Sequence, residues 1–118
     1  MRNFRELDIW KEAIKLVGKV YNLTETLPDT EKFGLVSQMN RCAVSIPSNI
    51  AEGCSKDSQK DFVRFLQIAL GSAFELETQF EICLELNILN RTQVTEITSE
   101  IVTLQKRIKA LVNYAQKQ

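Results

Sequence analysis

Apolar side chains recur along this chain at steps of three and four residues, and no stretch alternates with the two-residue period of a strand. The pattern predicts four helices, over residues 7–27, 31–52 and 59–86 and from Asn90 or Thr92 onward. Long helices with short connections predict an all-α, antiparallel up-down-up-down four-helix bundle that forms one domain over residues 1–118. The alternative is an open pair of helical hairpins that completes its core by dimerising.

The connections contain residues that start and stop helices. Pro28 ends the first helix, and Asp29 or Thr30 can cap the second. Gly53 stands where many helices end in a residue with a permissive backbone. Ser58, followed three residues later by an acid, resembles a capping box at the start of the third helix.

The third predicted helix carries more apolar surface than a bundle requires, because a stripe about 100° wide is enough to face the core. Its apolar residues cover well over half of the helix circumference: Phe62, Val63, Leu66, Ile68, Ala69, Leu70, Ala73, Phe74, Leu76, Phe80, Ile82, Leu84 and Leu86. The first helix is similarly broad. One interpretation is a fully buried central helix in a monomer. A four-helix bundle has no central member, so the pattern favours a homo-oligomer.

A polar line runs beside the apolar face of the second helix, through the stretch MNRCAVSIPSNIAEG at residues 39–53. Its members, with their counterparts on the third helix, are Gln38, Arg41, Ser45, Asn49, Glu52, Ser72 and Glu75. We interpret them as a structural polar seam, within the bundle or between subunits; the alternative is a direct contact with a ligand or RNA. An Arg41–Glu75 ion pair is a candidate link between the two helices, of the kind that specifies geometry more than it adds stability.

Pro47 lies inside this polar stretch and predicts a local kink. Proline has no N–H and clashes with the carbonyl four residues earlier, which here belongs to Ala43. Ser45 and Asn49, on either side of the proline, can satisfy backbone groups that such a kink exposes.

Composition excludes several classes of function. The chain has no histidine, and its three cysteines, Cys42, Cys54 and Cys83, have no CxxC spacing. We therefore expect no metal site, no disulfide framework, no cofactor, no small-molecule substrate and no catalytic residues. The charged N-terminus and the lack of an apolar run of about 20 residues predict a reduced cytoplasmic protein without membrane contact.

The charges are balanced overall, with 15 basic and 15 acidic residues, but they are unevenly placed. Antiparallel helices bring residues 1–14, 47–66 and 106–118 to one end, where ten basic and six acidic residues give +4. The candidate nucleic-acid-binding residues at this basic pole are Lys56, Lys60, Arg64, Lys106, Arg107 and Lys109. The alternative is that these are ordinary solvated helix ends.

Two stretches, FRELDIWKEA and TEKFGLVSQMNRCAVSIPSNIAEGCSKDSQKDFVRFLQIALGSAFELETQ, resemble the family of 23S ribosomal RNA intervening-sequence proteins. These bacterial proteins are usually described as ribosomal-protein-like, and the family includes accessory proteins of diversity-generating retroelements. The resemblance implies a four-helix bundle assembled as a barrel-like homopentamer, and it does not imply an enzyme. Retroelement accessory members are basic, bind nucleic acid and associate with a reverse transcriptase, whereas this chain has no net charge.

Two hypotheses follow for the function. In the first, a non-enzymatic oligomeric bundle binds RNA or a ribonucleoprotein weakly through its basic pole. In the second, the protein is a structural adaptor that binds a protein partner, such as a reverse transcriptase, and makes no contact with nucleic acid.

Overall fold

The computed structural model describes residues 1–118 and contains only helices and their connections. Its four α-helices are α1 (Asp8–Thr24), α2 (Leu35–Cys54), α3 (Gln59–Glu85) and α4 (Arg91–Gln116). Short 3₁₀ turns cover Phe4–Glu6 and Asp29–Glu31. The prediction of an all-α chain with four long helices is confirmed.

The helices form a closed ring in which each packs on its neighbours in sequence and α1 also packs on α4. Ion pairs from Lys19 to Glu100 and from Arg107 to Glu12 join α1 and α4 across that last contact. One continuous apolar core receives side chains from all four helices. The core therefore closes within a single chain, and the structure does not have the form of two open hairpins.

Two of the predicted helix boundaries are right, and the reason is local. The Asn90 side chain accepts a hydrogen bond from the Gln93 amide at 2.8 Å, and the Gln93 side chain accepts one from the Asn90 amide. This reciprocal capping box begins α4. At the start of α3, the Ser58 hydroxyl accepts a hydrogen bond from the Asp61 amide.

The predicted boundaries of α2 are wrong at both ends. Asp29 lies in a 3₁₀ turn and caps nothing, and α2 begins only after Gly34. Gly53 lies inside α2 rather than beyond it. Gly53 is buried against α3, and a Cβ added to it would lie 2.9 Å from the Cβ of Phe65. The lack of a side chain at this position therefore allows α2 and α3 to pack closely.

Several large apolar side chains remain exposed on this single chain. On α1 they include Ile14 and Tyr21, and on α3 they include Ile68, Phe74 and Ile82. These are positions at which the sequence carries more apolar residues than a bundle stripe requires. Whether other copies of the chain cover them stays a prediction.

Candidate nucleic-acid interface

A furrow between α3 and α4 contains most of the cationic residues that the sequence singles out. Two successive grooves along this helix pair form it, and we call them together the basic furrow. Its lining residues are Gln59, Lys60, Asp61, Val63, Arg64, Gln67, Leu70, Phe74, Val102, Gln105, Lys106, Lys109, Ala110, Asn113, Ala115, Gln116 and Gln118. The first turn of α3 and the last turn of α4 are held together by Gln59, whose side-chain amide donates to the Ala115 carbonyl at 3.2 Å.

Four cations line the basic furrow: Lys60 and Arg64 on α3, and Lys106 and Lys109 on α4. The only acid in the lining is Asp61, whose carboxylate lies 3.9 Å from the Arg64 guanidinium. The furrow therefore carries a net positive charge in a chain that has none overall, an arrangement that attracts phosphate groups.

The other two candidate cations lie outside the furrow. Lys56 is in the connection before α3, where its ammonium lies 5.2 Å from the centre of the Phe65 ring and shares that ring with Arg64. Arg107 faces α1 and forms an ion pair with Glu12. It is thus partly neutralised and is separated from its sequence neighbours Lys106 and Lys109 by the helical twist of α4.

The four furrow cations extend from one end of the bundle along its side. Lys106 stands ten residues before Gln116, the last residue of α4, which places it roughly 15 Å from that end at 1.5 Å per residue. Lys60 and Arg64 lie in the first two turns of α3. These four cations belong to the predicted basic pole, and its role in nucleic-acid binding stays a prediction.

The middle of the furrow has an apolar floor, which the pattern of cations along the sequence does not reveal. Phe74 is 55% exposed there, between the half-buried side chains of Leu70 and Val102 and close to Lys106 and Lys109. Beyond it, Gln105 donates to the Glu77 carboxylate at 2.8 Å. The available signal was Phe74 itself, on the flank of the α3 apolar stripe at the edge nearest α4.

The polar seam residues lie on α2 and α3, and two of them, Ser45 and Asn49, make side-chain hydrogen bonds within α2. The Ser45 hydroxyl donates to the Cys42 carbonyl at 2.7 Å, and the Asn49 amide donates to the Ser45 carbonyl at 2.8 Å. These bonds flank Pro47 without reaching Ala43, and α2 remains one helix through the proline. The Ser72 backbone provides the link between the helices, since its carbonyl accepts from the Cys42 thiol at 3.0 Å.

The candidate Arg41–Glu75 ion pair does not form within the single chain. The three ion pairs in the chain are those of Lys19 with Glu100, Arg64 with Asp61 and Arg107 with Glu12. Gln38, Arg41, Glu52 and Glu75 are exposed, so water can solvate their polar groups and nothing forces the two charges together. Arg41 instead lines a shallow groove beside Tyr21 of α1.

All three cysteines are buried and unpaired. Burial, and then the nearby carboxylate of Glu75, raises the pKa of the Cys42 thiol to about 12. Burial, and then the carboxylate of Glu31, raises the pKa of Cys83 to about 11. Burial also raises the pKa of Cys54. These thiols stay protonated at neutral pH and lack the thiolate character of a nucleophile.

The family of 23S rRNA-intervening sequence proteins has a model that matches residues 5–110 of this sequence, which is most of its length. The chain belongs to this family. The predicted resemblance is therefore confirmed. No curated protein matches the sequence.

A solved structure supports the same assignment. It is the crystal structure of a protein of unknown function from the S23 ribosomal protein family of Bacteroides thetaiotaomicron, with a TM-score of 0.82 and 25% sequence identity. The match covers 88% of this chain and 97% of the other. The two proteins thus share one helical architecture over nearly their whole lengths, and the family assignment carries no activity with it.

Two further findings concern membrane-spanning helices and metal-binding clusters. None of the helices combines the length and the apolar character that crossing a membrane requires. The structure contains no group of three or more Cys, Asp or Glu side chains arranged to hold a metal ion.

Proposed function

We propose that this member of the 23S rRNA-intervening sequence family is a non-enzymatic homo-oligomer that binds RNA, or a ribonucleoprotein, weakly through its basic furrow. The observation that carries the proposal is the alignment of Lys60, Arg64, Lys106 and Lys109 along one surface whose only acid is Asp61. Each phosphate that a cation neutralises releases condensed counterions, and this release drives association. With only four such cations per chain, the affinity of a single subunit is modest.

Assembly would multiply this effect. We propose a homopentamer, which is the assembly that the family resemblance implies. Ile14 and Tyr21 on α1 and Ile68 and Ile82 on α3 leave apolar surface for subunit contacts on two sides of the bundle. Surfaces on different sides suit a head-to-tail contact that closes into a ring. Light scattering at micromolar concentration should then report five times the chain mass of 13.5 kDa. A monomer would contradict the assembly and leave each furrow to act alone.

The RNA-binding proposal is tested by fluorescence anisotropy of a labelled, structured ribosomal RNA fragment across a salt series. We expect binding that weakens steeply with salt, by about 0.7 to 0.9 in the log–log slope for each phosphate contacted. The variant in which Lys60, Arg64, Lys106 and Lys109 become glutamine should lose most of the affinity and most of that slope.

A matched control separates position from total charge. Substituting Lys11, Lys15, Lys32 and Arg91 by glutamine removes the same number of charges from residues outside the furrow. This control should retain nearly all of the affinity. Equal losses in the two variants would reduce the interaction to non-specific attraction, and an absence of binding at low salt would overturn the proposal.

The second candidate function is that of an adaptor that binds a protein partner such as a reverse transcriptase. The observation in its favour is the apolar floor around Phe74, which a partner helix can also cover. An absence of RNA binding at low salt would support this adaptor function. A purified reverse transcriptase encoded near the gene would then be the partner to test by co-sedimentation.

A further inference from the structure

We infer that the basic furrow takes single-stranded RNA, with one unpaired base stacked on Phe74 and the adjoining phosphates on Lys106 and Lys109. This inference rests on the proposed RNA-binding function and adds to it the strandedness of the ligand and an aromatic contact. The aromatic face of Phe74 gives the furrow a surface for base stacking, which the cations alone do not supply.

The side chain of Phe74 is placed as a stacking platform requires. It is 55% exposed although it belongs to a helix whose other phenylalanines, Phe62, Phe65 and Phe80, are buried. It therefore lies on the furrow floor where a flat ligand can cover it. Every base has a π-face, so stacking on an exposed ring is open to any unpaired nucleotide and closed to one paired within a duplex.

The cations stand along the same track. Lys106 and Lys109 line the groove that contains Phe74, and Lys60 and Arg64 line the groove that continues it toward the end of the bundle. From residue 60 to residue 74 of α3 the track is about 21 Å long at 1.5 Å per residue. A stacked strand with one phosphate per 3.4 Å places about six phosphates along this length.

Amide side chains supply the remaining chemistry of the furrow. Gln67 and Asn113 line it beside the cations and Phe74. An amide group donates and accepts hydrogen bonds together, which suits the exposed edge of an unpaired base. A protein helix of opposite charge is the main competing occupant. Such a helix would also gain from the apolar floor and could bond to the amides, so the case for RNA rests on phosphates along the four cations and on a base stacked at Phe74.

The test uses the full-length protein and two probes, a fluorescein-labelled oligouridine of about 12 nucleotides and a blunt RNA duplex of the same length. We expect the single strand to bind more tightly than the duplex. The variant Phe74→Ala should weaken binding of the single strand by about 5- to 150-fold, the range measured for loss of one stacked base, and should leave the duplex unchanged. Phe74→Tyr keeps the aromatic face and should bind within about twofold of the parent.

Phe33 provides the matched control. It is the most exposed phenylalanine, at 90%, and lies outside the furrow with Lys32 beside its ring. Phe33→Ala therefore removes an exposed ring and a neighbouring cation–π contact without touching the furrow, and binding of the single strand should not change.

Each contrary result has a distinct meaning. If Phe74→Ala binds the single strand as tightly as the parent while the lysine and arginine variant does not bind, the proposed function stands and this inference falls. Equal affinity for strand and duplex also overturns it. If Phe74→Ala lowers the mass measured by light scattering, the ring is a subunit contact and a second copy of the chain is the true occupant. If no RNA binds at low salt, the proposed function falls as well.

Discussion

Gly53 of α2 lies directly against Phe65 of α3, so that a Cβ added at Gly53 would be 2.9 Å from the Cβ of Phe65. The same added atom would be 3.3 Å from the Phe62 carbonyl oxygen. Neither neighbour is the free end of a flexible side chain. The two helices therefore approach at this point only because residue 53 has no side chain.

The first prediction is that Gly53→Ala destabilises the protein. The extra methyl must push α2 and α3 apart, and overpacking of this kind costs about 1–3 kcal/mol in the free energy of unfolding. Chemical denaturation monitored by circular dichroism measures the change. Gly71 provides the control, because nothing lies within 4 Å of a Cβ added there in the middle of α3. Gly71→Ala should instead stabilise by up to about 1 kcal/mol, since alanine favours helix over glycine. Equal effects of the two substitutions would show that the α2–α3 contact tolerates a side chain.

The second prediction concerns Gln79, which is 4% exposed and whose side-chain oxygen has no hydrogen-bond partner. A buried polar atom without a partner costs about 1–3 kcal/mol, so Gln79→Met should raise the free energy of unfolding by about 1 kcal/mol. Gln105 is the control, because it is similarly buried but bonds to Glu77 at 2.8 Å. Gln105→Met should lower stability by about 0.5–1.5 kcal/mol. A loss of stability in both variants would mean that Gln79 is satisfied in solution.

The third prediction is a loss of stability at alkaline pH. Because folding raises the pKa of all three thiols, the folded chain keeps protons that the unfolded chain releases. The free energy of unfolding should therefore fall as the pH rises from about 8.5 to about 12.

Lysines and tyrosines also titrate in this range, so the measurement compares two slopes. The variant Cys42→Ala, Cys54→Ala, Cys83→Ala should lose stability less steeply with pH than the parent, whatever its stability at neutral pH. Identical slopes would contradict the assignment of the effect to the thiols. At pH 8 the native parent should react slowly with a thiol reagent and quickly once unfolded.

The fourth prediction concerns the N-terminal segment, which Arg2 ties to the bundle. The Arg2 backbone amide donates to the Cys54 carbonyl at 2.9 Å, and the Arg2 side chain donates a hydrogen bond to Gln59. The Arg2 guanidinium also lies 3.8 Å from the centre of the Phe62 ring. Arg2→Ala should cost about 0.5–2 kcal/mol of unfolding free energy through the lost cation–π contact. Arg5→Ala is the control, since Arg5 lies 4.9 Å from the Phe4 ring on an exposed turn. Stability equal to that of the control would show that the segment is not held by Arg2.

Much of the fold could be predicted because its causes are local. The apolar periodicity marks four helices, and the capping pair Asn90 and Gln93 begins α4 where the sequence places it. The start of α2 could not be predicted in the same way. Asp29 and Thr30 are good capping residues, yet they form a separate 3₁₀ turn and α2 begins at Leu35 without a side-chain cap. Capping preference therefore does not decide where that helix starts.

The features of the candidate interface also separate into those that the sequence determines and those that only the tertiary structure decides. The sequence alone determined the helical class, the family and the supply of cations near one end of the bundle, because these depend on residue order and local periodicity. Only the tertiary structure decided that Arg107 pairs with Glu12, that Arg41 and Glu75 stay apart, and that Phe74 shares a furrow with Lys106 and Lys109. Those relationships depend on the rotation and height of each helix against its neighbours, which are set by packing across the whole core rather than by any single stretch of chain.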